Sequence, residues 1–250
     1  MAKSSKATRA KARRPAKAKA KTDATAARPA VRRRGVGETP YHHGDLHEAL
    51  LQAAERVLEC DGLAGLTLRA VAREAGVSHA APTHHFGDLT GLLSELAAIG
   101  FRRFNAAMAV GRASESQPLM KALANAKTYV AYAQAHPGMY SLMFRTERLD
   151  MTRPSLHEAA SASFQGLANS IAAIRQEAGL PDLLTGDALQ ALSLEQAAAI
   201  VRNWSLIHGF TVLLLDGRLK DILHRLPQGT TADQLLEAML RAAVGRHPPT

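Results

Sequence analysis

Apolar residues recur every three or four positions along most of the chain after Tyr41, and this spacing places them on one face of an α-helix. The apolar positions of the first periodic segment are Leu46, Leu50, Ala53, Val57 and Leu58. The carboxylate of Asp45 can cap the start of this helix and Gly62 can end it. The pattern therefore predicts a first helix from Asp45 to Gly62.

Two short helices with a tight connection follow. Thr67 is a typical N-cap for a helix over residues 68–75, which Gly76 can end. Ser78 can cap a third helix of about two turns from His79 to Phe86. The connection has four residues and a glycine where the chain must turn sharply. This spacing is typical of a helix-turn-helix, whose second helix lies in the major groove of DNA.

The rest of the chain is also predicted to be helical. The predicted helices are residues 92–110, 118–135, 154–178, 193–215 and 231–244, and a short segment over 139–144 follows the second of them. The last two helices are apolar on more than one face, and a half-domain of this size cannot bury that much surface. A second copy of the chain is the expected cover, so we predict a homodimer formed through the last two helices.

Composition supports an all-α fold and narrows the class of protein. Of the 250 residues, 46% are hydrophobic and only 4% are aromatic, and the abundance of Ala and Leu favours helices over sheets. Cys60 is the single cysteine, which excludes an internal disulfide framework. The apolar stretch from Phe210 to Leu215, which Thr211 interrupts, is far shorter than the ~20 residues that span a bilayer. We expect an all-α, cytoplasmic protein with no membrane segment.

The positive charge is concentrated in residues 1–40. These hold thirteen Lys and Arg and two acidic residues, a net charge of +11, whereas the rest of the chain carries −2. Almost nothing large and apolar is present there, so we predict a disordered tail. The tail can lie along a phosphate backbone, with Arg28, Arg32, Arg33 and Arg34 among its contacts. Two alternatives are an idle solvated extension and an organelle transit peptide, although the apolar stripe of a transit peptide is missing.

The predicted helix-turn-helix carries a family resemblance. Gly44-Asp45-Leu46, the continuous run from Leu66 to Ser78 and the closing pair His85-Phe86 resemble the DNA-binding domain of TetR-family transcriptional regulators. The run from Trp204 to Gly209 is similar to the Trp…His-Gly signature in the C-terminal half of one subgroup. After the tail over residues 1–40, the resemblance implies a helix-turn-helix domain over 41–92 and a helical regulatory and dimerisation domain over 93–250.

The resemblance also implies that the third helix reads DNA. Hydroxyls near helix N-termini suit phosphates, and outward-facing residues at the start of the recognition helix meet base edges. The expected contacts are Thr67, Ser78, His79, Ala80, Ala81, Thr83, His84 and His85. Many relatives have Tyr in place of Thr83, and residues 41–88 carry a net charge of −4. We therefore expect the tail to supply much of the attraction to DNA, and we take as a hypothesis that the histidines of this region make operator affinity depend on pH.

In the C-terminal half, the resemblance implies a cavity for a small effector between the helix around Arg102 and the helix that holds Trp204. The candidate lining residues are Met139, Tyr140, Met143, Phe144, Trp204 and His208. They combine apolar walls with a few polar tips, as ligand pockets do. The alternative is that these residues are plain core, as Met and aromatic residues at helical spacing commonly are.

The sequence contains no catalytic or cofactor-binding pattern. It has no His-Glu-x-x-His, no phosphate-binding glycine loop and no Cys pair. A metal pair at His84 and His85 is disfavoured, because neighbouring residues point ~100° apart on a helix. We expect no enzyme, no cofactor and no metal. Two functions stay open: a homodimeric, nucleoid-associated repressor that binds an inverted repeat in double-stranded DNA and is released by a small molecule, or a tail-driven, non-specific nucleic-acid-binding protein with a degenerate helix-turn-helix.

Overall fold

The computed structural model describes residues 43–177 and 192–244. Within these two ranges the chain forms ten α-helices and one 3-10 turn at Thr146–Arg148, with no strand, which confirms the all-α prediction. The helices are α1 (His43–Gly65), α2 (Leu68–Glu74), α3 (Ala81–Phe86), α4 (Leu89–Ala113), α5 (Pro118–Ala135), α6 (Pro137–Met143), α7 (Pro154–Glu177), α8 (Leu194–Leu215), α9 (Lys220–His224) and α10 (Ala232–Val244).

The first three helices pack around a shared apolar core. Leu50, Val71 and Phe86, one from each helix, are at most 2% exposed and belong to one cluster. Thr67 caps α2 as predicted, because its Oγ1 accepts a hydrogen bond of 3.1 Å from the backbone N–H of Ala70. The core and the cap together fix the position of α2 against α1.

The ends of α1 differ in part from the prediction. The helix begins at His43, so Asp45 lies inside it and does not occupy the N-cap position. Gly62 interrupts the helical path where predicted, with φ of 67° and ψ of −175°. This is a conformation that glycine adopts readily and that other residues rarely adopt. A last turn then continues to Gly65.

The third helix begins later than predicted. It starts at Ala81, and its N-cap residue is Ala80, which makes no side-chain cap hydrogen bond. Pro82 explains the difference: a helix from His79 would need a backbone N–H at residue 82 to reach the carbonyl of Ser78, and proline has none. The N–H of Ala81 donates to the Ser78 carbonyl instead, over 3.0 Å. The predicted cap by the Ser78 side chain is therefore wrong.

The 25-residue helix α4 joins the N-terminal helices to the rest of the chain. It begins at Leu89 rather than at residue 92, because the Asp88 side chain accepts a hydrogen bond of 2.8 Å from the N–H of Gly91. The domain boundary predicted between residues 92 and 93 lies within this helix. The boundary stays a prediction, and the helix α4 continues without a break across it.

The main core continues from the N-terminal helices into α6 and α7. Leu142 of α6 and Leu156 of α7 are fully buried in the same cluster as Leu50 of α1 and Leu96 of α4. Each buried leucine contributes about 1.5–3 kcal/mol. Because protein interiors are close-packed, a shift of α4 or α7 is transmitted to α1 through these side chains.

A smaller cluster docks α8 and α10 against α5 through Val130, Phe210 and Leu236. Another part of α8 is open in the single chain, where Leu194 is 81% and Val201 is 56% exposed. Of the helices in the described ranges, α8 is the one that is long and apolar enough to cross a membrane, judged by length and composition alone. The sequence did not predict α9, which spans five residues and is too short to show a helical period.

Candidate DNA-binding surface and ligand cavity

The chain turns between α2 and α3 at Gly76. Its φ of 68° lies in the left-handed region, which glycine enters without strain. The N–H of Gly76 donates to the carbonyl of Arg73 over 3.2 Å, and the N–H of Val77 donates to that of Ala72 over 3.0 Å. These bonds satisfy carbonyls at the end of α2, as glycine-containing helix ends typically do. The turn of a helix-turn-helix is present where the sequence predicted it.

Most of the predicted DNA contacts are exposed, and all of these except Thr67 lie in α3 or just before it. The exposed residues are Thr67, Ser78, His79, Ala80, Thr83 and His84, whereas Ala81 and His85 are half-buried. Pro82 and Phe86 are buried on the core side of the same helix. The helix therefore presents small and imidazole side chains outward, as a recognition helix must in order to reach base edges. The individual contacts with DNA stay predictions.

His85 of α3 packs against α1. Its ring centroid lies 6.0 Å from that of His47 on α1 and 5.5 Å from that of His84, both in edge-on geometry. The His47 ring also lies 4.8 Å from the ring of Phe86. These contacts hold the C-terminal end of α3 against α1. The side chain of His85 thus has a packing role in addition to its predicted contact with DNA.

The described part of the helix-turn-helix unit is acidic. Residues 46–88 hold three arginines and six Asp or Glu side chains. Arg56 is paired with Glu74, with 2.6 Å between Nε and Oε1. Arg69 and Arg73 are exposed on α2 and form no ion pair with another described residue. Arg28, Arg32, Arg33 and Arg34, like the whole predicted tail, lie outside the described residues, and their contacts with DNA stay predictions.

A cavity of about 290 Å³ lies between α4, α5, α7 and α8, close to the lower end of the usual range for small-molecule pockets. Three of the six predicted lining residues, Met143, Phe144 and Trp204, form part of its wall. Most residues of the wall were not predicted from the sequence. Among the missed residues are Phe104, Arg112, Asn125, Tyr129, Phe164 and Ser170.

The other three predicted lining residues lie behind this wall. Met139 packs so closely on α4 that a Cβ added to Gly100 would be 2.7 Å from its Sδ. His208 Nδ1 lies 2.8 Å from the hydroxyl of Tyr140 and 2.9 Å from that of Tyr129, and the two hydroxyls are 3.2 Å apart. Tyr129 is the member of this network that reaches the cavity.

The Tyr129–Tyr140–His208 network is uncharged near neutral pH. Burial raises the pKa of Tyr140 to about 12 and also raises the pKa of Tyr129, whereas burial lowers the pKa of His208. A neutral imidazole offers one acceptor nitrogen. With Nδ1 in that role, one tyrosine hydroxyl donates to His208 Nδ1. The other tyrosine hydroxyl then donates to the hydroxyl oxygen of the first. The network can therefore position Tyr129 without bringing a charge to the cavity.

Two asparagines on the cavity wall differ in their hydrogen bonds. Asn105 is satisfied by α7: its Nδ2 donates to the Ala159 carbonyl over 2.9 Å, and its Oδ1 accepts from Ser163 Oγ over 2.5 Å. Asn125 Nδ2 lies 3.5 Å from Ser170 Oγ. Asn125 Oδ1 is buried and has no hydrogen-bond partner within the described part of the chain. This unsatisfied acceptor has less than 1 Å² of accessible surface, so it is closed off from the cavity space.

Among residues 43–177 and 192–244, no three His, Cys, Asp or Glu side chains come together as a metal site. The polar groups that do cluster are the neutral network behind the cavity and the open surface at α3. The chemistry that this arrangement supports is recognition by shape, hydrogen bonds and charge.

Two models of one protein family match the chain. The model for bacterial regulatory proteins of the tetR family matches residues 50–96, which include α2 and α3. The model for the Tetracyclin repressor-like, C-terminal domain matches residues 122–243, which include much of the cavity wall. Both halves of the sequence-based resemblance are confirmed, and the Trp…His-Gly subgroup stays a prediction. Curated proteins gave no match.

Solved structures share the fold. A protein of unknown function from Rhodococcus sp. RHA1 is 36% identical, with a TM-score of 0.62 over 82% of this chain and 96% of the other. The TetR family regulator PfmR from Thermus thermophilus is 17% identical, with a TM-score of 0.51 over 77% and 97%. The regulator FadR from Bacillus subtilis, solved in complex with stearoyl-CoA, is 12% identical, with a TM-score of 0.55 over 81% and 100%. The chain belongs to the TetR family and is a DNA-binding transcriptional regulator.

Proposed function

We propose that this regulator is a homodimeric repressor that binds an inverted-repeat operator and is released when a small molecule enters the cavity. It acts at the nucleoid in the cytoplasm and has no enzymatic activity. The observation that carries the proposal is that α4 serves both sites: it begins directly after the recognition helix, and five of its residues between positions 101 and 112 line the cavity. A ligand that displaces this wall acts on the element that supports α3.

The backbone contact between α3 and α4 is close. A Cβ added to Gly91 in the first turn of α4 would lie 2.0 Å from the carbonyl oxygen of Phe86, so only glycine fits this position without a shift. A displacement of α4 therefore changes the orientation of α3. Release also requires that the ligand bind the released conformation more tightly than the DNA-bound one.

The open face of α8 supports a second copy of the chain as partner. Leu194, Val201 and Leu213 on this helix are between 42% and 81% exposed in the single chain. Lipid is a poor alternative cover, because exposed Arg202 near the middle of α8 would cost about 2.5–3.5 kcal/mol in a bilayer. A two-fold dimer presents two recognition helices about one DNA turn apart, which suits an inverted repeat.

The first test is selection of duplexes bound by the full chain from a random DNA pool at physiological salt. We expect enrichment of an inverted repeat. A pool without enrichment would favour non-specific binding by the tail, an alternative supported by the acidic charge of residues 46–88.

The second test addresses the dimer. Leu213→Glu places a charge on the exposed face of α8 and is expected to give monomers that no longer bind the inverted repeat. Val110→Glu on α4 is the matched control, because Val110 is 73% exposed and lies on another helix. Sedimentation velocity of both variants and of the unchanged chain separates the outcomes. A Leu213→Glu variant that stays dimeric would contradict an interface on this face.

A further inference from the structure

The aromatic side chains of this chain are concentrated around the cavity. The 250 residues include six Phe, four Tyr and one Trp. Six of these eleven rings line the cavity, and they come from four helices and from the residue that follows α6. A core stripe would draw its rings from one helix, whereas these converge on one space from several elements. The lining rings are Phe101, Phe104, Tyr129, Phe144, Phe164 and Trp204.

Three of the six rings keep substantial open surface. Phe144 and Phe164 are half-buried, and Trp204 is 41% exposed. The ring centroids of Phe144 and Trp204 are 6.4 Å apart, whereas Phe164 makes no ring contact with another described residue. Aromatic rings pair edge-on or offset at centroid distances of about 4.5–7 Å. An aromatic occupant can therefore form such pairs with these three side chains.

Most polar side chains of the wall are bonded to the protein itself. Asn105 and Ser163 bond to each other over 2.5 Å. Ser170 and Asn203 each donate to a carbonyl of their own helix, one turn earlier, over 2.8 Å. Tyr129 belongs to the network with Tyr140 and His208. Recognition of an occupant therefore falls mainly to the apolar surface of the wall.

Arg112 also suits an aromatic occupant. Its Nη1 would lie 3.6 Å from a Cβ added to Gly166, so the guanidinium reaches from α4 to the α7 side of the cavity. A guanidinium is planar and stacks on aromatic faces. It can do so while its N–H groups donate to a carboxylate, so this contribution does not depend on whether an acidic side chain pairs with Arg112. A saturated occupant has no face of this kind.

The size of the cavity and the small side chains of α7 limit the occupant. With ~30 Å³ for each water-sized group, a volume of about 290 Å³ corresponds to about ten such groups, the size of two fused six-membered rings. Five of the eight α7 residues in the wall are Gly, Ala or Ser, which lets a flat occupant lie close to this helix. They are Ala160, Ala162, Ser163, Gly166 and Ser170.

We propose that the effector is a flat aromatic compound of about two fused rings, held by ring contacts with Phe144, Phe164 and Trp204. This names the ligand class of the cavity and rests on the proposed function. A saturated compound of equal size fills the same volume but makes none of the contacts between rings.

A matched pair of compounds tests aromaticity alone. The full chain is dialysed to equilibrium against 2-naphthol or decahydro-2-naphthol, and gas chromatography measures the bound fraction. The two compounds share their carbon skeleton and their hydroxyl. Saturation adds apolar hydrogens, so the hydrophobic effect alone would favour the saturated compound. We expect 2-naphthol to bind about tenfold more tightly, as for two ring contacts. Equal or tighter binding of decahydro-2-naphthol, or no retention of 2-naphthol, would overturn the proposal.

Two variants assign the preference to the cavity. Phe164→Leu and Trp204→Leu each remove one ring but keep an apolar side chain, and each should lower the preference to about threefold. Phe210→Leu is the control, because Phe210 belongs to the smaller core cluster and does not line the cavity. Circular dichroism melts identify any variant that fails to fold. A tenfold preference that survives in the folded cavity variants would place the aromatic site elsewhere and overturn the proposal.

Operator release separates this proposal from the proposed function. If 2-naphthol binds with the expected preference but leaves operator affinity unchanged, the ligand class holds and ligand-released repression fails. If a saturated compound releases the operator and its binding is insensitive to Phe164→Leu and Trp204→Leu, repression by release holds and the ligand class is wrong.

Discussion

Arg153 reaches from the start of α7 to the end of the recognition helix, where its Nη2 donates a hydrogen bond of 3.1 Å to the carbonyl oxygen of Phe86. The same guanidinium lies 3.7 Å from Glu95 of α4 and 3.7 Å from Asp150. The middle of α7 lines the cavity. Arg153 therefore forms a second connection between the cavity wall and α3, beside the one through α4.

We predict that Arg153→Met loosens α3. The Phe86 carbonyl loses a charged donor, and such a hydrogen bond contributes about 1.5–3 kcal/mol. Hydrogen exchange of the α3 amides should become about tenfold faster or more, whereas exchange in α5 should change little. Arg148→Met is the control, because Arg148 is exposed and has no ion pair with a described residue. Equal exchange in the two variants would show that Arg153 does not anchor α3.

A second prediction concerns the close approach of α4 to α3. In Gly91→Ala the new Cβ would lie 2.0 Å from the Phe86 carbonyl oxygen and 2.5 Å from Arg153 Nη2. Neither atom can move freely, because one is backbone and the other is hydrogen-bonded. We expect the free energy of unfolding to fall by about 1–3 kcal/mol, as for overpacked sites.

Gly166→Ala is the matched control for that substitution. Gly166 is also helical, but the nearest atom to its added Cβ is Arg112 Nη1 at 3.6 Å, an ordinary contact. Ala in place of Gly in a helix interior stabilises by up to about 1 kcal/mol. Urea unfolding should therefore give opposite signs for the two variants. Equal free energies of unfolding for the two variants would mean that α4 can move away from the Phe86 carbonyl without loss of stability.

A third prediction follows from His208. Burial lowers the pKa of this imidazole in the folded chain, so the unfolded chain binds more protons as the pH falls below about 6.5. Its contribution to stability is complete above the unfolded pKa and is lost as the pH falls from there toward the folded pKa. His208→Gln should reduce the loss of thermal stability between pH 7 and pH 5. His157→Gln is the control, because His157 is exposed on α7. Thermal melts at several pH values compare the two variants with the unchanged chain.

Sequence periodicity located helices best where side-chain chemistry marks both ends. The prediction for residues 118–135 matches α5, because Pro118 can start a helix and His136-Pro137-Gly138 ends it. The start of α3 was wrong, because Ser78 has the chemistry of a cap while Pro82 forbids the hydrogen bond that such a helix needs. Local signals therefore fail where two of them compete within one turn.

The cavity was predicted only in part for a different reason. Trp204 belongs to the segment that carries the family resemblance, Met143 and Phe144 were candidates as apolar side chains, and all three lie in the wall. Asn125 and Arg112 meet α7 across more than 40 residues of sequence, and only tertiary packing brings them together. A signal for Asn125 was present, because a polar residue occupies an otherwise apolar stripe with Ala122 and Tyr129 at helical spacing.

The fourth prediction concerns the tail, whose thirteen basic residues contrast with the acidic helix-turn-helix. Deleting residues 1–36 should weaken binding to every duplex and flatten the dependence of log affinity on log salt, by about 0.9 for each phosphate that is no longer neutralised. The ratio of operator to random-sequence affinity should change little, because base edges are read by α3 and phosphate contacts carry no sequence information. A tail of equal length with Gln in place of Lys and Arg distinguishes charge from chain length. A salt slope that survives both changes would mean that the phosphate contacts come from the folded helices, with Arg69 and Arg73 of α2 as the first residues to substitute.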